Sequence, residues 1–218
     1  MFVNAKHILI TGQDDDALDW TNGWTGKLQH VVIKHTTSGD NCIEADNLGA
    51  NPIATPRSNP TVSNLTCITS TTQKSSGHAF ELKAGTAMQM YNSVIGGQIE
   101  STEGCILIAG AETFSQSGAS AATLNGTLKM DRSLITSQCA AALAGSGTFT
   151  TAEWFAAQTG TTSGTVDLGG PNGWTNGTAI NARVAATGLD SFFDSVDYIG
   201  GVKDDTSDWT KGWVFDYD

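Results

Sequence analysis

The stretch VNAKHILITGQDDDALDWTNGWTGKLQHVVIKH, from Val3 to His35, decides how the chain folds. Two apolar runs with nearly the same pattern of residue types, residues 6–10 and 29–33, flank an acidic loop and two tryptophans. Each run is too short for a helix, is rich in β-branched residues and is bounded by turn-forming residues, which favours a strand. The stretch therefore predicts one rung of a coil of strands.

The same pattern recurs along the chain, and recurrence at a period of roughly 20 to 50 residues marks a solenoid. First strands recur at residues 65–68, 92–95 and 133–135, and second apolar runs at residues 17–20, 42–45, 79–82, 105–108 and 139–142. Stacked rungs bury a continuous core that no single rung could bury. We therefore expect a right-handed parallel β-helix over residues 1–145. An antiparallel β-sandwich, which also has short strands and frequent turns, stays open as the alternative.

After Gly145 the pattern changes, and residues 146–218 are expected to form a C-terminal cap of loops and short helices on the solenoid. One short helix is predicted at residues 151–158, and Asp190 is placed to cap a second. Such a cap would cover the last rung, whose unpaired backbone and apolar side chains invite association. No comparable cap precedes Phe2, so we expect the first rung to stack on another chain or to be bare through truncation.

The charge balance argues against two classes of partner. The chain has 22 acidic and 11 basic residues, a formal net charge of -11. Binding to nucleic acid requires clustered lysine and arginine, which the sequence lacks. The same balance disfavours an anionic membrane surface, and no apolar stretch approaches the ~20 residues that span a bilayer. We expect neither nucleic-acid binding nor membrane insertion.

Four cysteines, Cys42, Cys67, Cys105 and Cys139, are spread over the rungs with no CxxC pair and no histidine at ligand spacing, which makes a zinc site a weak reading. Their even number favours disulfides.

The spacing of the cysteines indicates which of them pair. Cys42 and Cys67 are about one rung apart, where stacking could bring their Cα atoms within bridging range. We predict Cys42 with Cys67 and Cys105 with Cys139; three pairings are formally open. Four buried thiols in a reducing compartment are the alternative.

Two acidic groups should lie at neighbouring corners of successive rungs. Gathered carboxylates repel unless a cation lies between them, and calcium prefers such oxygen ligands. A solvated edge, whose aspartates bond turn backbone, is the alternative. Lys34 and Arg57 are the only basic residues expected nearby. The candidate calcium ligands are Asp14, Asp15, Asp16, Asp19, Asp40, Glu44 and Asp46.

Trp20 and Trp24 lie in a motif, DWTNGW, that is echoed as DWTKGW at residues 208–213. Exposed tryptophans would stack on sugar rings. Buried ones would seal a corner of the coil and its cap, which is the use we favour. His7 and His30 occupy equivalent rung positions and should stack, with Asn64 next in line. A metal site there would need a third ligand, and none is visible.

Taken together, the first stretch and residues 40–47, DNCIEADN, resemble a large group of secreted bacterial β-helix proteins, mostly uncharacterised and often labelled lipoproteins. Residues 192–202, FFDSVDYIGGV, with the motif at 208–213, are similar to their usual ending. The resemblance implies a parallel β-helix on the outside of a bacterial cell and brings no established catalytic residues. Those proteins carry a signal peptide and earlier rungs, whereas this chain begins inside the coil.

No nucleophile elbow, P-loop or HExxH motif occurs. We therefore expect a non-enzymatic structural or adhesive module of the cell surface, with calcium at the acidic corner as a candidate stiffener. Its first rung would associate end to end, giving dimers or an open filament. The alternative is a carbohydrate-active β-helix, either an enzyme such as a polysaccharide lyase or glycoside hydrolase, or a binder of surface glycans. Trp20 and Trp24 would then be sugar platforms, and a lyase would need Arg57 or Lys34 in an open groove.

Overall fold

The computed structural model describes residues 2–36, 38–70, 74, 76–98, 104–212 and 214. The strands are β1 (Asn4–Thr11), β2 (Leu18–Trp20), β3 (Lys27–Lys34), β4 (Ile43–Ala45), β5 (Thr61–Thr69), β6 (Phe80–Leu82), β7 (Met88–Tyr91), β8 (Val94–Gly97), β9 (Ile106–Ile108), β10 (Leu128–Asp131), β11 (Leu134–Thr136), β12 (Leu143–Ala144), β13 (Thr162–Gly164), β14 (Leu168–Gly169) and β15 (Thr175–Asn176). The helices are α1 (Ala111–Phe114), α2 (Ser137–Ala141), α3 (Thr151–Ala156) and α4 (Thr178–Asn181). None of these helices is long and apolar enough to cross a membrane.

The strands stack in parallel into two sheets that wind around one core. The first sheet has the order β1-β3-β5-β8-β11-β13, with β7 beside β5 and β10 beside β7, and the second has the order β2-β4-β6-β9-β12. Equivalent residues lie side by side, so Ile8 pairs with Val31 and Val31 with Leu65. The predicted right-handed parallel β-helix is confirmed. The sandwich alternative is wrong, because neighbouring strands of both sheets run in the same direction.

Each rung of the first sheet bends at one residue with left-handed backbone. From the first rung onward these residues are His7, His30, Asn64, Asn92 and Arg132, with φ between 49° and 59°. The imidazoles of His7 and His30 stack with ring centroids 4.9 Å apart, as predicted. Asparagine tolerates this conformation better than most residues. The repeated bend turns the corner of the coil at the same place in every rung.

A hydrophobic core runs through the coil from Trp20 in the first rung to Trp154 in α3. Both predicted disulfides, Cys42–Cys67 and Cys105–Cys139, are confirmed and fully buried. Cys67 belongs to the first sheet, whereas Cys42 directly precedes β4 of the second. The bonds close loops of 25 and 34 residues. Loops of this size restrict the unfolded chain enough to stabilise the fold by roughly 3.5 to 4 kcal/mol each.

Beyond Gly145, α3 covers the last rung with the fully buried Trp154. Thr150 and Glu153 exchange the hydrogen bonds of a capping box, which fixes where this helix begins. Parallel pairing nevertheless continues beyond Gly145, because β13 pairs with β11 of the first sheet. The division of the chain into a solenoid and a cap at Gly145 therefore stays a prediction. The second predicted helix is absent: the Asp190 carboxylate accepts the Phe192 N–H within a turn. Residues 186–203 run back along the outer face of the first sheet.

Candidate functional site

The outer face of the second sheet gathers acidic side chains into one surface. The register of β2, β4 and β6 places Asp19, Glu44 and Glu81 in a single column. Stacked strands lie about 4.8 Å apart, so these like charges adjoin. Asp46 lies two positions after Glu44 in the chain, and Asp16 is hydrogen-bonded to Glu44. These five residues are called the acidic face below.

Lys83 provides positive charge at the acidic face. Its Nζ donates to Glu44 and, at 2.9 Å, to Oε2 of Glu81. Burial opposes the ammonium charge, but the hydrogen bonds to Glu44 and Glu81 outweigh it and raise the pKa of Lys83 above its ordinary value. Lys83 therefore stays protonated and cannot take up a proton as a base.

Asp16 and Glu44 form a carboxyl–carboxylate pair. Burial, followed by the hydrogen bond to Glu44, raises the pKa of Asp16 to about 7. The same hydrogen bond, with help from Lys83, lowers the pKa of Glu44. Oδ1 of Asp16 also accepts the backbone N–H and the side-chain amide of Asn41, at 3.0 and 2.7 Å. The pair thus shares one proton, which Asp16 holds and donates to Glu44.

A second acidic group lies at the corner before the sheet. Carboxylate oxygens of Asp15, Asp16 and Asp40 all lie within 4.8 Å of one another, so the two acidic stretches of sequence are neighbours. Lys74 approaches the group, with its Nζ 3.2 Å from Asp15 and 4.0 Å from Asp40. Asp14 is exposed and does not belong to this oxygen cluster. The three carboxylates offer the oxygen ligands that calcium prefers, and calcium binding stays a prediction.

The expectation that Lys34 and Arg57 are the basic residues near the acids is wrong. The Arg57 guanidinium donates to two backbone carbonyl groups. The Lys34 ammonium donates to a carbonyl oxygen of the C-terminal region, 2.8 Å away. The lysines beside the acids are Lys74 and Lys83, because stacking brings later parts of the chain against β2 and β4.

The sequence interpretation missed Lys83 and the place of Glu81 beside it. The signal was present in the run Phe80-Glu81-Leu82-Lys83, which alternates apolar and charged residues as a half-buried strand does. That alternation puts both charged side chains on the outer face. What the run alone does not reveal is which earlier carboxylates lie one rung below, because the loops between rungs differ in length.

The two tryptophans lie at the N-terminal end of the coil. Trp20 is 4% exposed, and its Nε1 donates to Thr86. Trp24 is half-buried, with its ring 5.7 Å from that of Trp20. In the echoed motif Trp209 contacts His7, whereas residue 213 lies outside the described residues.

The N-terminal end also presents unpaired strand edges. Among the described strands β1 pairs only with β3, and β2 only with β4. A cavity of about 450 Å³ opens beside them, lined mainly by apolar side chains that include Val3, Ile8 and Trp24. Phe2 and Val3 are 80% and 53% exposed. This end could accept a further rung.

Comparison with known proteins gives one family and no individual relative. A family model described as a pectate-lyase like β-helix domain matches residues 2–179, which include every strand of the two parallel sheets. Neither the curated proteins nor the solved structures contain a match to this chain. The family match thus accounts for the architecture and assigns no role to any residue of the acidic face.

The proton held by Asp16 makes stability depend on pH. Folded Asp16 keeps its proton to about pH 7, whereas its ordinary pKa is 3.8. The folded state therefore binds more protons between these values, and this contribution to stability is lost as the pH rises through that window. Asp16→Asn retains the acceptor for Asn41 and a donor to Glu44 at every pH. We expect its free energy of unfolding, relative to wild type, to rise by on the order of 1 kcal/mol between about pH 4 and 7.5, after allowing for solvent screening.

Urea denaturation at a series of pH values measures this difference. Asp14→Asn is the control, because it removes a neighbouring exposed carboxylate outside the pair. If the free energies of unfolding of Asp16→Asn and wild type changed in parallel with pH, the shared proton would be contradicted.

Proposed function

The chain belongs to the family of pectate-lyase-like β-helix domains, and from this premise we propose that it is a structural or adhesive module that does not turn over a substrate. The same proposal locates the module outside the cell, on a bacterial surface. Two buried disulfides favour an oxidising compartment, where such bonds persist. The resemblance of both ends of the chain to secreted bacterial β-helix proteins supports the same location.

The observation that carries the proposal is the engagement of Lys83 with Glu44 and Glu81. A lyase must remove a proton from carbon, which requires a base that is free of its proton. Lys83 has a raised pKa and is held by two carboxylates, so it does not fit that role. Arg57 is engaged with backbone carbonyl groups. Within the acidic face, Lys83, Glu44 and Glu81 thus form an ionic triad.

The carboxyl pair does not fit glycoside hydrolysis either. Glycosidases hold their two carboxyl groups roughly 5 to 9.5 Å apart, with the sugar between them. Asp16 and Glu44 are instead bonded directly to each other. The second candidate function is nevertheless a carbohydrate-active β-helix, because a cluster with perturbed pKa values is where chemistry is commonly found.

We also propose calcium as a stiffening ligand of the group Asp15, Asp16 and Asp40. Their close oxygens support it. Asp16 keeps its proton to about pH 7, so the repulsion lies mainly between Asp15 and Asp40. A cation there would relieve it more fully than Lys74, which is 41% exposed in its side chain. Binding would tie the loop before β2 to the loop before β4 and so stiffen the first two rungs.

The proposed module associates through its first rung. Unpaired strand edges and exposed apolar side chains at the N-terminal end support this interface. The opposite end is covered by α3 and the buried Trp154, which favours contact between two N-terminal ends over a head-to-tail filament. A second copy of the chain is the proposed partner.

The absence of turnover is tested on pectate, the substrate that gives the family its description. We expect neither unsaturated ends, followed by ultraviolet absorbance, nor new reducing ends, with calcium or with a chelator. Lys83→Gln should be equally inert. Turnover by wild type that Glu44→Gln abolishes would establish the carbohydrate-active alternative.

Calcium is tested by thermal denaturation with the ion or a chelator. A saturating concentration should raise the midpoint of wild type by roughly 5 °C, since a ligand that binds only the folded state stabilises it. The double variant Asp15→Asn with Asp40→Asn should lose this rise, and Asp14→Asn should keep it. Equal rises in all three proteins would refute this site.

Association is tested by light scattering over a range of concentrations. We expect a mass that is twice the 22.7 kDa of the chain. Val3→Asp should give the monomer, because it puts a charge into the interface. Val184→Asp is the matched control, since Val184 is 72% exposed but lies in the C-terminal region. A monomeric wild type at every concentration would end this part of the proposal.

A further inference from the structure

Residues 186–203, here called the clasp, are held on the first sheet largely through their backbone. The Gln29 side-chain amide donates to the Asp194 carbonyl oxygen at 3.0 Å and accepts the Asp194 N–H at 2.7 Å. The Asn92 amide makes the same two bonds with Ala186, at 3.2 and 2.6 Å. A side-chain amide that bonds both backbone groups of one residue recognises an extended peptide whatever its side chain is.

Two further buried groups of the sheet bond the clasp. Asn64 Nδ2 donates to the Tyr198 carbonyl oxygen at 2.9 Å, and Thr66 Oγ1 accepts the Gly201 N–H at 2.8 Å. Asn64 and Thr66 are 0% exposed. Buried polar groups without partners cost roughly 1 to 3 kcal/mol each. This face of the sheet, here called the groove, is therefore built to hold a peptide backbone.

The groove also requires a particular sequence at its centre. A Cβ on Gly201 would lie 2.5 Å from the Val31 carbonyl oxygen, and Gly200 has a φ of 83°. Both positions thus need glycine. The neighbouring Ile199 and Val202 are 1% and 0% exposed and pack in separate apolar clusters on the sheet. The groove fits an apolar-Gly-Gly-apolar segment.

The connection to the clasp does little to hold it in place. Residues 183–189 form no helix or strand, and Val184 is 72% exposed. A Cβ on Gly188 would meet no atom within 4 Å. Ion pairs of Lys6 with Asp194 and of Lys27 with Asp190, both 2.6 Å long, are at the surface and contribute little. Besides the groove, Asn176 and Asn181 bond the clasp, through the carbonyl oxygens of residues 199, 202 and 203. The attachment is therefore made by the groove and by these two asparagines.

From these contacts we propose that the groove is a peptide-docking site whose second occupant is the clasp of another copy of this chain, so that two molecules exchange clasps. The partner is this chain because its own segment meets each requirement of the groove. Exchange replaces every contact by the identical one from the other molecule, so its cost is low. The short connection gives the molecule's own clasp a high effective concentration, and exchange is therefore favoured when that clasp is weakened or the protein is concentrated. The inference does not depend on the absence of turnover, on calcium or on association of first rungs.

The first test adds a labelled peptide of residues 190–203 to the full-length variant Gly201→Ala. The new methyl group displaces the variant's own clasp, which leaves the groove free for the wild-type peptide. Fluorescence anisotropy should show binding at least about tenfold tighter than to wild type, whose own clasp competes. Gly169→Ala is the matched control and should behave as wild type, because a Cβ there meets no atom within 4 Å.

Two changes examine the specificity of this binding. A peptide with Ala in place of Gly201 should not bind. Adding Thr66→Val to the Gly201→Ala chain removes the acceptor of the Gly201 N–H at nearly constant side-chain volume. It should weaken binding of the wild-type peptide by about tenfold, the effect of one lost hydrogen bond in a buried site. A Gly201→Ala chain that unfolds cooperatively but binds no peptide would overturn the proposal.

A second measurement covers the case in which Gly201→Ala does not fold. A protease site is inserted at Gly188 of the otherwise wild-type chain and cleaved after folding, and an excess of labelled peptide is added. Exchange of the cleaved segment, read by mass, supports docking; a segment that never exchanges refutes it. Mixing two mass-labelled full-length chains that carry Val3→Asp should give mixed dimers at high concentration, and their absence would refute exchange between copies.

Discussion

The register of parallel stacking is the constraint on which the rest of the structure depends. Each residue lies directly over its counterpart one rung away, at the spacing of adjacent strands. The same rule stacks His7 on His30 and sets Glu44 against Glu81. Where the stacked residues are alike and apolar, they build the core. Where they are alike and charged, as Glu44 and Glu81 are, a lysine binds both carboxylates.

That rule also explains how much of the structure could be predicted from the sequence. The cysteine pairs and the histidine stack follow from rung equivalence, which short runs of residues reveal. Lys83 and Lys74 could not be matched to their carboxylates, because the loops between rungs vary in length and the sequence does not state which strand covers which. The position of the clasp was harder still to predict from the sequence. The clasp is bound by amide side chains that are distant from it in the sequence. The alternation of apolar and polar residues within a strand does not reveal such distant partners.

The acidic face combines features of active sites with the contacts of a structural ion-pair network. A proton retained by Asp16 and a lysine held by Glu44 and Glu81 are both features of active sites. Here each group is already engaged with another group of the same cluster. Asp46 differs from these groups, because one of its buried carboxylate oxygens has no hydrogen-bond partner and burial raises its pKa.

The position of the disulfides has a consequence for local unfolding. Solenoids lose structure from their ends, one repeat at a time. The loops closed by Cys42–Cys67 and Cys105–Cys139 both lie after β3, so β1 and β2 are not fastened by either bond. The far end is covered by α3. In the part of the chain that the structure describes, opening of the rung formed by β1 and β2 would expose a fresh pair of strand edges, while the rungs behind it stay fastened by the two bonds.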